Sequence, residues 1–407
     1  MRKLFAIFTV FCFFWTTGIN AEDEKPEEEK KDDQIIIGST NPFTGPAAAY
    51  STISNSILAY FNKVNDAGGI EGREINFISL DDGYSPPKTQ EQFRNLVENE
   101  KILFIFQSFG TPTNSAVHRY INKAKIPHLF VASADSKWDN PRRFPWTMGW
   151  QPNYHSEGVI FAKYILKNHP DGKIAILYQN DDYGKQYLAG FKQELGEKFE
   201  RMVLAEESYE TDDFSVDTQV SKLKETGANI LFNTAIPQFA IQAIKKIHEL
   251  EWKPVHLLTA AASSIETVLK PAGFDLSQGI ITTRYLLDPD DPKHEAKEGI
   301  IQFKAFMERY YPEGDRKSIF NLYGYAVAQT MVHVLENCKN DLSRENLMKQ
   351  AASISKLEVF GLIPGITIST SPTDFRPIES MEMIQFSGEG YQTVGNEPIK
   401  GGNDLMN

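Results

Sequence analysis

The sequence predicts an α/β protein of two lobes, each a doubly wound parallel sheet, joined by three crossings of the chain. Three observations predict it. Short apolar runs alternate with segments of helical period. The alternation stops at a stretch rich in aromatics and proline, 141–157, and then begins again. The length of 407 residues suffices for two units that each bury a core.

In chain order, Ile35-Ile36-Ile37-Gly38 reads as a first buried strand. Ile53, Ile57, Phe61 and Val64 then lie at helical spacing, and Gly68-Gly69 stops that helix. Glu74 to Leu80 is a second strand, and Ser85-Pro86 opens a helix with proline at its tolerated first position. Ile102 to Phe106 is a third strand, followed by a helix marked by Val117, Tyr120, Ile121 and Ala124. Pro127 to Ala132 is a fourth. The stretch 141–157, PRRFPWTMGWQPNYHSE, reads as an irregular crossing.

A second alternation follows. Helices are marked by Val159 to Ile165, by Tyr187 to Leu195 and by Val216 to Leu223, and one opens after Pro237. Strands fall at 173–178, 202–205, 229–233 and 255–259. Ile280 to Leu287 leads back out to helices near 293–311, 319–337 and 344–354. The tail, 357–394, reads as strand-like and as another crossing. One lobe is thus expected to hold 34–148 with 286–356, the other 149–285 with 357–407.

The address is written at the start. Arg2 and Lys3 precede an apolar run, Leu4 to Trp15, too short to span a bilayer comfortably. This reads as a signal peptide, residues 1–21, cut near Ala21. Residues 22–33, EDEKPEEEKKDD, cannot bury apolar surface and read as a disordered acidic leader. Cleavage takes two cations from a chain of net charge −12 and leaves −14. That balance, without a basic tract, argues against nucleic acid and for a soluble protein of an exported compartment, most simply a periplasm. Cleavage also removes Cys12, so Cys338 remains alone, a core residue by its place in an apolar helix pattern.

Ligands of parallel sheets bind beyond the carboxyl ends of the strands. Three hydroxyl-rich loops stand there: Asn41 to Tyr50, Ser108 to Asn114 and Ala132 to Ser136. The middle loop precedes a helix whose first N–H groups and dipole suit a carboxylate. Thr111 or Thr113 can equally serve as a plain helix cap. Trp150 and Tyr154 fit either a cleft or a core. No G-x-S-x-G, H-E-x-x-H or phosphate-loop motif is present, and His118, His128, His155 and His169 lack metal spacing. Neither an enzyme, a cofactor nor a metal is expected.

Thr44-Gly45-Pro46, then Asn65 to Arg73 (NDAGGIEGR), then Asp81-Asp82, then Asp182-Tyr183-Gly184, in this order, carry a resemblance. The chain from about 35 to 394 resembles the periplasmic solute-binding proteins of ABC importers, of the leucine/isoleucine/valine-binding type. The resemblance implies a monomer whose ligand lies between the lobes and whose partners are membrane permease subunits. It implies that Ser108, Phe109, Gly110, Thr111 and Thr113, with Ala132, Ser133 and Ala134, hold the ligand carboxylate. Tyr50 would cover the ligand and Tyr183 would reach it from the second lobe. An acidic residue is expected near Ala261, but 260–264 reads Ala-Ala-Ala-Ser-Ser. A buried ammonium without a counter-charge is costly. The expected ligand is therefore a small carboxylate without an ammonium, and Phe109, Trp150, Tyr154 and Tyr183 favour a flat or apolar one. A branched-chain or other amino acid is the alternative, with Asp135 or Asp181 as the missing acid. The same fold also serves ligand sensing for a signalling partner.

Overall fold

The structure, a computed structural model, describes residues 34–395 and 399–400. The predicted signal peptide and acidic leader, and the chain beyond 400, lie outside the described residues.

The first lobe begins with β1 (Ile35–Asn41), α1 (Thr52–Asp66), β2 (Ile75–Asp81), α2 (Pro86–Glu98), β3 (Phe104–Phe106), α3 (Thr111–Lys123), β4 (His128–Val131) and β5 (Thr147–Gly149). Its five strands are all parallel, in the order β2-β1-β3-β4-β5. β3 and β4 are buried along their whole length, which is why they read as unbroken apolar runs.

The chain crosses once and builds α4 (Tyr154–Asn168), β6 (Ile174–Gln179), α5 (Asp182–Leu195), α6 (Phe199–Met202), β7 (Val203–Tyr209), α7 (Asp217–Glu225) and β8 (Ile230–Thr234). Then follow α8 (Pro237–Glu249), β9 (Val255–Leu258), the short α9 (Lys270–Ala272) and α10 (Phe274–Ser277), and β10 (Ile281–Arg284). A second crossing leads to α11 (Glu298–Tyr310), α12 (Ile319–Cys338) and α13 (Arg344–Ala351). α11 and α12 pack on α1, and α13 packs on α12. A third crossing returns to β11 (Ser380–Ser387), β12 (Gly390–Thr393) and β13 (Ile399–Lys400). The second sheet runs β12-β11-β10-β9-β8-β6-β7. It is parallel from β10 to β7, but β11, β12 and β13 add antiparallel pairs at one edge.

Two readings are corrected. The stretch 141–157 is not irregular throughout, because β5 joins the first sheet and α4 starts at Tyr154. Asn153 caps that helix by accepting the Ser156 N–H at 2.8 Å. The tail is strand-like only from 380; before it the chain is held by isolated pairings, Leu286 with Leu362 and Leu357 with Ile368. Cys338 is 3% exposed, and burial pushes its thiol up to about 11. It is a core residue, as its apolar helix pattern predicts.

α4 and α5 cross with almost no space between their backbones. A Cβ on Gly190 would stand 1.9 Å from the His155 carbonyl oxygen, and one on Gly158 would stand 2.3 Å from that of Tyr187. Only glycine permits this approach. It brings the first turns of α4 against the middle of α5, beside the cavity.

Candidate ligand-binding site

A cavity of about 110 Å³ lies between the carboxyl edges of the two sheets. The first lobe lines it with Tyr50, Tyr84, Phe109, Gly110, Thr111, Ala132 and Ala134, all just beyond strand ends. The second lobe contributes Tyr154 and Glu157 from α4, Tyr183 and Tyr187 from α5, and Ala260 and Ala261 after β9. Phe320 and Tyr323 of α12 close one side.

The first-lobe wall is rigid. Gly110 has φ +101°, and a Cβ there would strike the Tyr84 ring and Thr113 Oγ1 at 2.5 Å. Buried Asn114 holds the loop by donating to the carbonyls of Ser108 at 2.9 Å and Gly110 at 2.6 Å. Thr111 Oγ1 and Ser133 Oγ share a hydrogen bond at 2.7 Å, and Trp138 Nε1 donates to the same Ser133 oxygen at 3.0 Å. The loop therefore offers Thr111 and the open start of a 13-residue helix to the cavity.

Not every predicted site residue lines the cavity. Tyr50, Phe109, Gly110, Thr111, Ala132, Ala134, Tyr154, Tyr183 and Ala261 do. Ser108 faces inward, donating to Asn114 Oδ1 at 2.6 Å and bonded to His128 Nε2. Burial holds His128 neutral, its pKa lowered to about 3. Thr113 Oγ1 turns back to the Phe109 carbonyl, and Ser133 supports Thr111 from behind. Trp150 is fully buried and donates to Thr330 Oγ1 of α12 at 3.1 Å. Its ring packs on Tyr323 at 5.1 Å. It belongs to the core between the first crossing and α12, not to the cavity wall.

The second-lobe wall carries a group that the sequence reading missed. Glu157 is 2% exposed, and its Oε1 accepts the Ala260 N–H and the Thr283 hydroxyl, each at 2.7 Å. Burial raises its carboxyl from 4.5 to about 7, against those two bonds and the nearby Tyr187 hydroxyl. Asp135 and Asp181 are not in the wall. Asp135 pairs with Lys137 at 3.1 Å, and Asp181 caps α5 through the Tyr183 N–H at 2.8 Å. A ligand without an ammonium is expected from a second-lobe wall that lacks an acid, but α4 supplies one, Glu157, to the very segment, Ala260, where the strand end lacks it. The available signal was Asn153 as a cap followed by an acid in the first turn.

The buried hydroxyls of Tyr183, Tyr187 and Thr259 gather beside Glu157 and interact with one another and, through Tyr187, with its carboxyl, but none of them makes a hydrogen bond of normal geometry among the described residues. The lobes meet over the cavity. Tyr50 donates to the Ala261 carbonyl at 2.8 Å, and its ring packs on Phe109 at 4.6 Å. Gln179 Nε2 approaches Tyr84 Oη at 3.4 Å, and Ser136 donates to Gln186 Oε1 at 2.8 Å. Among the described residues no three His, Cys, Asp or Glu side chains are grouped to hold a metal ion, and no helix is long and apolar enough to cross a membrane.

Two α/β lobes closed over a small aromatic cavity define a solute-binding protein. A family model for periplasmic binding proteins matches residues 34–391, and the chain belongs to that family. The Leu/Ile/Val-binding protein homolog 1 of Brucella abortus (strain 2308) is 24% identical over 303 residues, covering 73% of this chain and 76% of that one. Homolog 2 of the same strain is 22% identical, covering 81% and 85%. Among solved structures, a branched chain amino acid ABC transporter protein from Thermus thermophilus with bound valine superposes with a TM-score of 0.80 at 16% identity, over 90% of this chain and 96% of that one. A fatty acid ABC transporter substrate-binding protein from Thermomonospora curvata gives 0.76 at 21% identity, over 91% and 93%.

Proposed function

We propose that this chain is the periplasmic substrate-binding component of an ABC importer and captures a small carboxylate-bearing solute between its lobes. The observation that carries the reading is the cavity itself, walled by both lobes and covered by the Tyr50–Ala261 contact. A carboxylate fits the first-lobe end, where Thr111 and the start of α3 present donors. Valine and fatty acids, named with the two structural neighbours, share that group. Capture closes the lobes by a hinge motion, and the closed monomer docks on separate permease subunits. No bond is made or broken in the solute.

A thermal-shift screen of the mature chain against amino acids and aliphatic and aromatic carboxylates tests this. A ligand that binds only the folded state raises the melting temperature. At least one carboxylate is expected to do so, and to be recovered unchanged. Indifference to every carboxylate, or turnover of the bound one, overturns the reading.

A further inference from the structure

Behind the cavity wall, Asp288, Asp291 and His294 are buried together on the second crossing. They surround Arg284, the last residue of β10. Arg284 stands between Thr283, which bonds Glu157, and Tyr285, and all three line the cavity. The guanidinium donates to Glu382 Oε2 of β11 at 3.2 Å and lies 4.0 Å from Asp291 Oδ2. It also meets the His294 ring, Nη1 to Nε2 at 3.3 Å. A guanidinium has only donors, so Nε2 is the bare nitrogen and the proton sits on Nδ1. Nδ1–H then donates to the Asp288 carbonyl at 2.9 Å. The other tautomer, with Nδ1 accepting the Asp288 N–H, would aim an Nε2–H at the guanidinium. The neutral ring thus ties the crossing at Asp288 to the end of β10. Asp291 fixes the turn that carries it, accepting the Lys293 N–H at 3.0 Å and the N–H of Tyr391 on β12 at 3.3 Å. Tyr391 in turn donates its hydroxyl to the carbonyl of Ser263, another wall residue, at 2.5 Å.

We propose that His294 is a positioning residue: its neutral ring pins the second crossing to Arg284 and so holds the cavity wall, and its protonation releases that hold and weakens solute binding. The weakening of binding rests on the solute-binding reading; the hold on the wall does not. Protonation sets Nε2–H against Arg284 Nη1, donor against donor and cation against cation. Glu382 keeps Arg284 in place, so the ring and the crossing must move. The charged groups around the ring are Arg284 on β10, Asp288, Asp291 and Lys293 on the crossing, Lys297 at the start of α11 and Glu382 on β11, with the Tyr391 phenol on β12. Burial, with Arg284 and Lys297, holds the imidazole below its ordinary value, against the Asp288 carbonyl and Asp291. Asp288 offers little counter-charge, because burial raises its carboxyl to about 7. A form that resists the proton loses ground to a looser one as pH falls through the ordinary histidine value of about 6.5.

The mature chain, isotope-labelled at its methionine methyls, tests the hold on the wall by NMR without any solute, because Met381 of β11 lines the cavity next to Glu382. From pH 8 to pH 5 the His294 ring signal, identified by its loss in His294→Gln, is expected to titrate below about 6.5, and the Met381 methyl to move with the same midpoint. The glutamine amide can accept from Arg284 and donate to Asp288 without ever charging, so in His294→Gln the Met381 shift at that midpoint is expected to vanish. A Met381 methyl that ignores the His294 titration overturns the inference. So does one that moves alike in the variant, which assigns the change to Glu157 or Asp288. Should the variant not fold, the wild type decides, since a Met381 midpoint near 7 belongs to those two acids and also overturns it. Calorimetry with L-valine and 4-methylpentanoate at pH 7.5 and pH 5.5 then reads the coupling to solute. The loss of affinity on acidification is expected to be about five-fold larger in the wild type than in His294→Gln. A loss of the same size in both overturns the coupling. Binding of neither probe counts against the carboxylate reading for these solutes and leaves the methyl titration to decide the inference.

Discussion

Lys137 Nζ lies 2.5 Å from Asp182 Oδ2, and the two residues belong to opposite lobes. Lys137 sits in the turn after β4 and also pairs with buried Asp135 of its own lobe at 3.1 Å. Asp182 opens α5 and also accepts the Ser115 hydroxyl at 3.2 Å. The contact joins the start of a helix in one lobe to a turn in the other, beside the cavity but outside it.

This pair is expected to favour the closed arrangement modestly. Asp182 is half exposed, so its share is about 1 kcal/mol or less. Asp182→Asn should weaken solute binding by up to about five-fold, chiefly through faster release, and added salt should have the same effect on the wild type. Lys137 holds the Asp182 carboxyl below its ordinary value. The contribution is therefore present at neutral pH and fades only as pH falls through that depressed value. Stopped-flow release rates at low and high salt check this; a variant that releases solute at the wild-type rate rules it out.

Glu157 makes the ligand-free protein sensitive to pH in the opposite sense. Its folded value, about 7, lies above the ordinary 4.5. The stability it confers as an acid is complete below 4.5 and is lost as pH rises through 7. The loss is on the order of 3 kcal/mol. Glu157→Gln should be no more stable than wild type at pH 5 and clearly more stable at pH 8. Denaturant titrations at both values test it; a difference that does not change with pH contradicts it.

Trp150 separates core from cleft. Trp150→Phe removes the bond to Thr330 and leaves a gap beside Tyr323. It should cost about 1–3 kcal/mol of stability. Affinity for a solute identified by thermal shift should stay within about two-fold. A large loss of affinity at unchanged stability would put Trp150 in the site.

The α4–α5 crossing tolerates no side chain. Gly190→Ala would force a methyl against the His155 carbonyl, and the helices must part. About 3 kcal/mol of destabilisation is expected, lowering the melting temperature by roughly 5 °C or more. Binding should weaken as well, since Glu157 and Tyr187 lie on the two separated helices. Calorimetric melting of the variant provides the measurement, and an unchanged transition would argue for slack at the crossing.

The strand-loop-helix alternation was legible because buried parallel strands and amphipathic helices leave different periods. It also located the loops after β1, β3 and β4, and with them Tyr50, Phe109, Thr111 and Ala132. Side-chain direction within those loops was not legible. Ser108 and Thr113 carry the same hydroxyl as Thr111 but turn inward: Ser108 stands on irregular backbone, which has no period from which to read a face, and Thr113, in the first turn of α3, returns its hydroxyl to the Phe109 carbonyl four residues back. Glu157 was missed for another reason. Its role depends on a helix crossing set by two glycines 32 residues apart, and on a strand end more than 100 residues away. A residue near Ala260 in space need not be near it in the chain.

The buried indole of Trp150 stands at the first crossing, against Tyr285 at the second and Tyr323 of α12. The cluster thus ties the first crossing, the second crossing and α12 together at one buried point. With Trp138, Trp146 and Trp252 replaced by phenylalanine, Trp150 becomes a built-in optical gauge of that junction: a change in its emission on adding solute reports a rearrangement of the crossings, and an unchanged spectrum reports that they stay fixed.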